Sequence, residues 1–499
     1  MNPYSKRSKC AARAALVLAA TAALLMATAC GSSGSNGGGG GGGGTFTPAS
    51  LSGQYVISQT GIGADQFGGV AVFSESIVFT ADGKGNLNVT VDDFNQSGVS
   101  FQLSSALSGT YSIGKNGVGV LHFNSSTYGI TMIDDSHFHV IQGDLFATAS
   151  GFGEKQDTSS FSAVPVGTFI FQSHNASVAS RVGSLAVASG NINVLEDSLT
   201  LGTTLPISPT ALTGSFGPTI DANGRGTFVL SDGSTFAFYM VNASKFRFMS
   251  FSGGSSTLEI GQAEKQTGGP FSAASLGTGT YVFGTSGDTL TNSVGMHSVG
   301  ALTTDGVSKL TGTVDYVQDG AVNTAITLLD TSSYALAMDG RGLFNLDLSN
   351  STSDQKVFWM VNPTRAYVLN NTAAAIEDGT FTKQQGAPFS ATSLASQSSF
   401  VMDGFDVAFK DRTGVITPHS NGNLDWNQQA NSFDINFGGV PSATTTTGNY
   451  QVDASGRVTV SVNNVSSSIV FYLSSANSGV MVQEDGADIG GTFETQATQ

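Results

Sequence analysis

The chain has 499 residues, enough for several domains, with 11% charged residues, 64 glycines and a formal net charge of −16. An acidic chain of this kind repels nucleic acid, which excludes nucleic-acid partners. Its 39% hydrophobic content suffices for cores, and its two cysteines, Cys10 and Cys30, leave the rest of the chain without disulfides, thiolate metal sites or cysteine nucleophiles.

Residues 1–29 read as a signal peptide. Lys6, Arg7, Lys9 and Arg13 precede an apolar run from Ala14 to Ala29 that is too short and Ala-rich to span a membrane. The run ends in Met26-Ala27-Thr28-Ala29-Cys30-Gly31, which resembles the lipobox of bacterial lipoproteins. The resemblance implies cleavage before Cys30 and lipid attachment to Cys30. Ala27 departs from it, because the pattern prefers Leu there. The alternative is ordinary secretion with a free Cys30. Residues 30–45 then form the lipidated cysteine and a tether. Gly37 to Gly44 are consecutive glycines, and a flexible coil of this length spans on the order of 20 Å. Gly31, where many lipoproteins retained at the inner membrane carry Asp, implies the outer membrane or cell surface in preference to the inner membrane.

Beyond the tether the sequence repeats four times. Phe46-Thr47-Pro48-Ala49, Phe161-Ser162-Ala163-Val164, Phe271-Ser272-Ala273-Ala274 and Phe389-Ser390-Ala391-Thr392 open the units. Glu154-Lys155-Gln156, Glu264-Lys265-Gln266, Lys383-Gln384-Gln385 and Phe493-Glu494-Thr495-Gln496 close them. The expected domains are 46–160, 161–270, 271–388 and 389–499. Each unit repeats a tight turn: Gly114-Lys115-Asn116-Gly117, Asp221-Ala222-Asn223-Gly224-Arg225, Asp339-Gly340-Arg341 and Asp453-Ala454-Ser455-Gly456-Arg457. Asp and Asn bond their own backbone in turns and Gly accepts positive φ, so this motif marks a hairpin.

The segments between turns alternate with period two. In Lys245-Phe246-Arg247-Phe248-Met249, Phe246 and Phe248 share a face; in Thr235-Phe236-Ala237-Phe238-Tyr239-Met240, Phe236, Phe238 and Met240 do. Short connections require antiparallel pairing. The predicted fold is all-β: four tandem antiparallel domains of about eight meandering strands each. An up-and-down barrel leaves no open edge and ranks first; a β-sandwich or an eight-bladed propeller with two blades per unit fits the same pattern. The barrel resembles avidins and lipocalins in outline only, and the scarcity of Trp departs from both.

Candidate chemistry is sparse. Asp221, Asn223, Asp339 and Asp453 offer too few acids per turn for calcium. His137 and His139, near Asp134, Asp135 and His122, are the densest zinc-like group. Aligning the units without gaps sets His139 opposite Phe246 and facing inward, with His122 facing outward, so no metal site is expected. His174, His297 and His419 stand singly. The adjacent pairs Asp92-Asp93 and Glu484-Asp485 point to opposite strand faces and cannot flank one bond. No serine sits in a nucleophile elbow. Trp359 reads as core, and Trp426 is the better candidate of the two for a surface ring that stacks on a sugar, a reading that ranks behind core packing.

The sequence therefore points to a membrane-anchored cell-envelope lipoprotein. Its expected role is a non-enzymatic binding or structural module without cofactor, with the membrane and an envelope glycan or protein as partners. Four similar units would suit multivalent contact. The alternatives are an envelope polysaccharide hydrolase and a small-ligand carrier with hollow barrels. No residue beyond Cys30 is singled out as a ligand site.

Overall fold

The computed structural model describes residues 45–497 except 66–68, 97–98, 104, 176–178, 201, 204–207, 252–257, 290–294, 372–374, 406–407, 435–437 and 464–467. The signal peptide, Cys30 and the glycine tether lie outside the described residues. Among the described residues no helix is long and apolar enough to cross a membrane.

Four antiparallel sheets follow one another along the chain. Strands Gly167–Asn175 through Glu259–Lys265 form a closed eight-stranded barrel, and so do Ser398–Phe405 through Asp488–Thr495. The first sheet, Ser52–Ala64 through Ala147–Lys155, closes in the same way, with Val99–Gln102 as an extra strand on its rim. The third differs. Its edge strands, Ala321–Thr327 and Ser333–Leu336, do not pair, so it is a curled but open sheet of nine strands. Single bridges at Lys309–Ser333 and Leu328–Leu348 draw the gap together.

The meander arises from the alternation already visible in sequence. Each barrel turns its apolar phase inward: Tyr55, Phe79 and Phe138 in the first, Phe169, Phe238 and Phe246 in the second, Tyr281, Phe358 and Phe381 in the third, Phe400, Phe471 and Phe493 in the fourth. Tyr281 and Phe381 stack with ring centres 4.4 Å apart, and Phe344 and Phe358 at 4.2 Å. Polar clusters also occupy barrel interiors. Gln59 donates to Glu75 at 2.6 Å, Arg181 lies 3.6 Å from Glu259, Lys356 lies 3.0 Å from Glu377, and Arg412 donates to Gln483 at 2.8 Å. The hollow-barrel expectation is therefore corrected: large aromatic side chains fill each interior.

Trp426 is corrected as well. It is 1% exposed, stacks on Phe400 at 4.5 Å and donates from Nε1 to Gln428 at 2.8 Å, so it is core. Its strand pairs Leu424 with Gly448 and Trp426 with Thr446, which puts both large side chains inside the fourth barrel.

The repeated turn joins the barrels. Asp221 Oδ1 accepts from the N–H groups of Asn223 and Arg225 at 2.8 and 3.0 Å, and Asp453 does the same for Ser455 and Arg457. The acid is spent on its own loop, as a turn requires. The loop then receives the end of the preceding barrel. Gln156 Nε2 donates to the carbonyls of Asn223 and Met240 at 3.1 and 2.6 Å. Gln266 reaches Asp339 and Met360, and Gln384 reaches Ser455 and Leu473. Gln496, at the far end of the chain, reaches back to Asn116 and Met132 of the first barrel at 3.1 and 2.7 Å. The opening Phe of each unit packs on the same turn. A Cβ on Gly224 would come 2.6 Å from Phe161, and φ of +71° there also requires glycine.

The four units thus form a ring. Between the first and second barrels, Arg225 donates to Asp93 at 2.6 Å and the Tyr239 hydroxyl donates to the same carboxylate. Between the second and third, Arg341 binds Asp197 with both arms at 2.9 and 2.7 Å, and Trp359 Nε1 donates at 2.8 Å. Between the third and fourth, Arg457 binds Asp315 at 2.9 and 2.7 Å beside the Tyr472 hydroxyl. Hydrogen bonds close the ring between the fourth and first: Thr413 to Thr131 at 3.0 Å, Ser399 to the Thr131 carbonyl at 3.2 Å, and Gln429 to the Gly119 carbonyl at 3.0 Å.

Candidate binding site

A ring of packed barrels leaves its space in the middle. A cavity of about 950 Å³ lies there, lined by all four units. The first and last strands of each barrel turn their outer faces toward it. Many of these outward positions are Gly, Ser or Thr, which lets the strands approach. Gly284 and Gly490 illustrate the constraint, since a Cβ on either would sit 2.7 Å from Val480 or 2.4 Å from His297 of the neighbouring unit.

The lining changes along the axis. At the end where the linkers run, Lys245 Nζ lies 2.7 Å from Glu154, Arg247 Nε lies 2.6 Å from the same carboxylate, and Arg365 lies 3.2 Å from Glu264. Burial alone would raise the Glu154 pKa, but Arg247 and Lys245 hold it at about 2. These cations are neutralised in place. The middle is uncharged and hydrogen-bonding: Ser58, Gln172, Thr380 and Thr492. Buried oxygens of Gln172 and Thr492 have no protein partner among the described residues. The far end is acidic, with Asp378, Asp403 and Asp411 beside His174 and His297. Asp378 accepts from Ser180 at 2.8 Å and lies 4.0 Å from His174. Burial raises the pKa of Asp378 and Asp403 and pushes Asp411, which accepts from Thr148, up to about 7. Asp403 and Asp411 are direct cross-strand partners, so both carboxyls meet on one face of the fourth barrel.

The residues singled out in sequence fall elsewhere. His137 is half-exposed and bonded to Asp134 at 2.9 Å. His139 is fully buried, but on the outside of its barrel, because Phe138 and Val140 carry the inward phase. Its counterpart is Arg247 rather than Phe246: His137 pairs with Glu154 as Lys245 pairs with Glu264. A one-residue slip in the alignment reversed its face. Burial holds its pKa down at about 3. His122 also faces outward, is exposed, and bonds Thr127 at 3.0 Å. Among the described residues no group of three metal-binding side chains converges. Asp92 and Asp93 do point apart: Asp93 meets Arg225 at the seam, while Asp92 lies beside Glu75, and burial raises the pKa of both Asp92 and Glu75. His419 bonds Asp425 at 3.1 Å on the surface, and His174 and His297 reach the chamber.

Sequence reading missed the chamber because it depends on how barrels pack, and missed Asp93, Asp197 and Asp315 because each lies far along the chain from its arginine. One signal was present: Arg follows the turn glycine in three copies, and Val118 stands in the fourth.

No family model matches this chain, and no curated protein matches it. Among solved structures a match is the vaccine antigen transferrin binding protein B of Haemophilus parasuis Hp5, crystallised as a double mutant. It is 10% identical, with 73% of this chain and 84% of that chain covered and a TM-score of 0.18. A score that low carries no argument about this chain.

Proposed function

We propose that this chain is a lipid-anchored cell-envelope binding protein, held through Cys30 and the glycine tether, that takes a small polar ligand in its central chamber. One observation carries this reading: the about 950 Å³ cavity sits between four filled barrels and is lined by hydroxyl, amide and carboxyl groups. That volume suits a compact polar molecule or the end of an envelope glycan, and is far too small for a folded protein partner. The chamber is shared by all four units, so this reading gives one ligand per chain rather than four independent contacts. The anchor places the body at the outer membrane or cell surface.

The test is a screen of envelope glycan fragments and small polar molecules against the body beyond the tether. Thr60→Trp fills the chamber from the first barrel without entering a barrel core. Binding by the natural chain and loss in Thr60→Trp supports the reading; binding unaffected by that substitution refutes it.

A second reading, hydrolysis of an envelope polysaccharide, is favoured by one arrangement. Asp403 and Asp411 face each other across adjacent strands at the acidic end of the chamber, and glycosidases use a pair of carboxyl groups flanking the scissile bond. Turnover abolished by Asp403→Asn would establish it in place of simple binding.

A further inference from the structure

Three seams of the ring are built alike, and the fourth is not. At the first three, an arginine after the repeated turn grips a buried aspartate, and an aromatic side chain donates to the same carboxylate. Strand register identifies the matching positions at the fourth. Arg225 pairs with Tyr239, Arg341 with Trp359 and Arg457 with Tyr472; Val118 pairs with Thr131. Gln429 follows Asn423 at the interval by which Asp197 follows Asn191. All three members of the latch have therefore changed together, from Arg, Asp and an aromatic to Val118, Gln429 and Thr131.

The apolar contacts differ in the same direction. Val78 packs with Ala237 and Met249 between the first and second barrels, Val182 with Val357 and Trp359 between the second and third, and Val299 with Val470 and Val482 between the third and fourth. Among the described residues no cluster of buried apolar side chains joins the fourth barrel to the first. Hydroxyls and amides do so instead. Asn431 Nδ2, for example, donates to the carbonyls of Gln142, Asp144 and Ala147 at 3.1, 3.1 and 2.8 Å. Linkers also cross the first three seams, whereas the fourth joins the last barrel to the first with no covalent connection.

We propose that the ring is a clasp that opens at the seam between the fourth and first barrels, widening the central chamber. When this seam parts, each hydrogen bond across it is replaced by one to water, at small net cost. Parting any other seam exposes valine and aromatic surface and also separates an arginine–aspartate pair. His139, Ser399, Thr413 and Asp411 line the opened faces. What enters the widened chamber rests on the binding reading above; the opening itself does not.

The test uses the absence of cysteine beyond residue 30. In the full chain with Cys10 and Cys30 replaced by serine, single cysteines are placed by Thr413→Cys and Ser399→Cys at the fourth seam, and by Ala237→Cys, Val357→Cys and Val470→Cys at the others. All five positions are 0% exposed in the closed ring. Under native conditions a thiol reagent is expected to label both fourth-seam cysteines at least about ten-fold faster than the other three, reporting local opening beneath global unfolding. Rebuilding the latch with Val118→Arg, Thr131→Tyr and Gln429→Asp together is expected to slow Ser399→Cys labelling to the rate of the other seams. Equal rates at all five positions overturn the proposal. So does fast fourth-seam labelling that a folded latch variant leaves unchanged. Labelling needs no chamber ligand, so a failed binding screen and a failed clasp are separate outcomes.

Discussion

Replacing Asp197 with alanine tests how the ring is held. Asp197 is fully buried and accepts from Arg341 Nε, Arg341 Nη2 and Trp359 Nε1 at 2.9, 2.7 and 2.8 Å. Arg341 is itself only 14% exposed. Removing the carboxylate leaves a buried guanidinium and an indole N–H without their acceptor. Breaking a buried ion pair by removing one partner costs about 3–5 kcal/mol. The pair as a whole is worth much less against apolar replacements. The double variant Asp197→Leu with Arg341→Met is expected to fall within ~1 kcal/mol of the natural chain, because desolvation of both ions offsets most of their attraction. Urea unfolding followed by tryptophan fluorescence measures both, with Trp359 beside the lesion. A single variant costing less than ~1 kcal/mol would refute the claim that this contact is desolvated and shared by two barrels. A double variant as damaged as the single one would show that the loss comes from packing.

Four further outcomes follow from the same geometry. Gln156→Ala removes the donor to two carbonyls of the second barrel and is expected to cost about 1–3 kcal/mol, read by the same unfolding experiment. Trp426→Ala is expected to cost ~3–5 kcal/mol as a core truncation; a loss under ~1 kcal/mol would return Trp426 to the surface. His139 has a folded pKa depressed to about 3 by burial, so its stability contribution is complete above its unfolded value near 6.5 and is lost as pH falls toward 3. The full effect is roughly 5 kcal/mol at pH 3, and His139→Phe is expected to flatten stability over that window; an unchanged acid limb would contradict it. Cys30→Ser is expected to release the chain from membranes into the soluble fraction, and continued membrane retention would remove the lipid anchor from the account.

The parts legible in the sequence were those set by local rules. Period-two alternation and Asp/Asn/Gly turns are written within a few residues, so strands, meander and fourfold repetition could be read directly from segments such as 235–249. Barrel closure followed from strand number and held for three sheets. The third failed to close because Ala321–Thr327 and Ser333–Leu336 never meet, a spacing between edges that no local pattern encodes. Trp426 stood as a surface candidate because its neighbours Asp425 and Asn427 look like surface, although a half-buried strand alternates such residues with core. His139 was misread through an alignment one residue out of step. The chamber lay beyond reach for a different reason. Its lining faces outward from every barrel, so its residues carry the polar phase that a single-barrel reading assigns to solvent.

The most direct measurement of the central claim is the stoichiometry of ligand binding by isothermal titration, using the natural chain and Thr60→Trp with the tightest compound from the glycan and small-molecule screen. One site per chain, abolished by Thr60→Trp, is the expected result. Four equivalent sites per chain, or one site indifferent to that substitution, would contradict a ligand held at the centre of the ring.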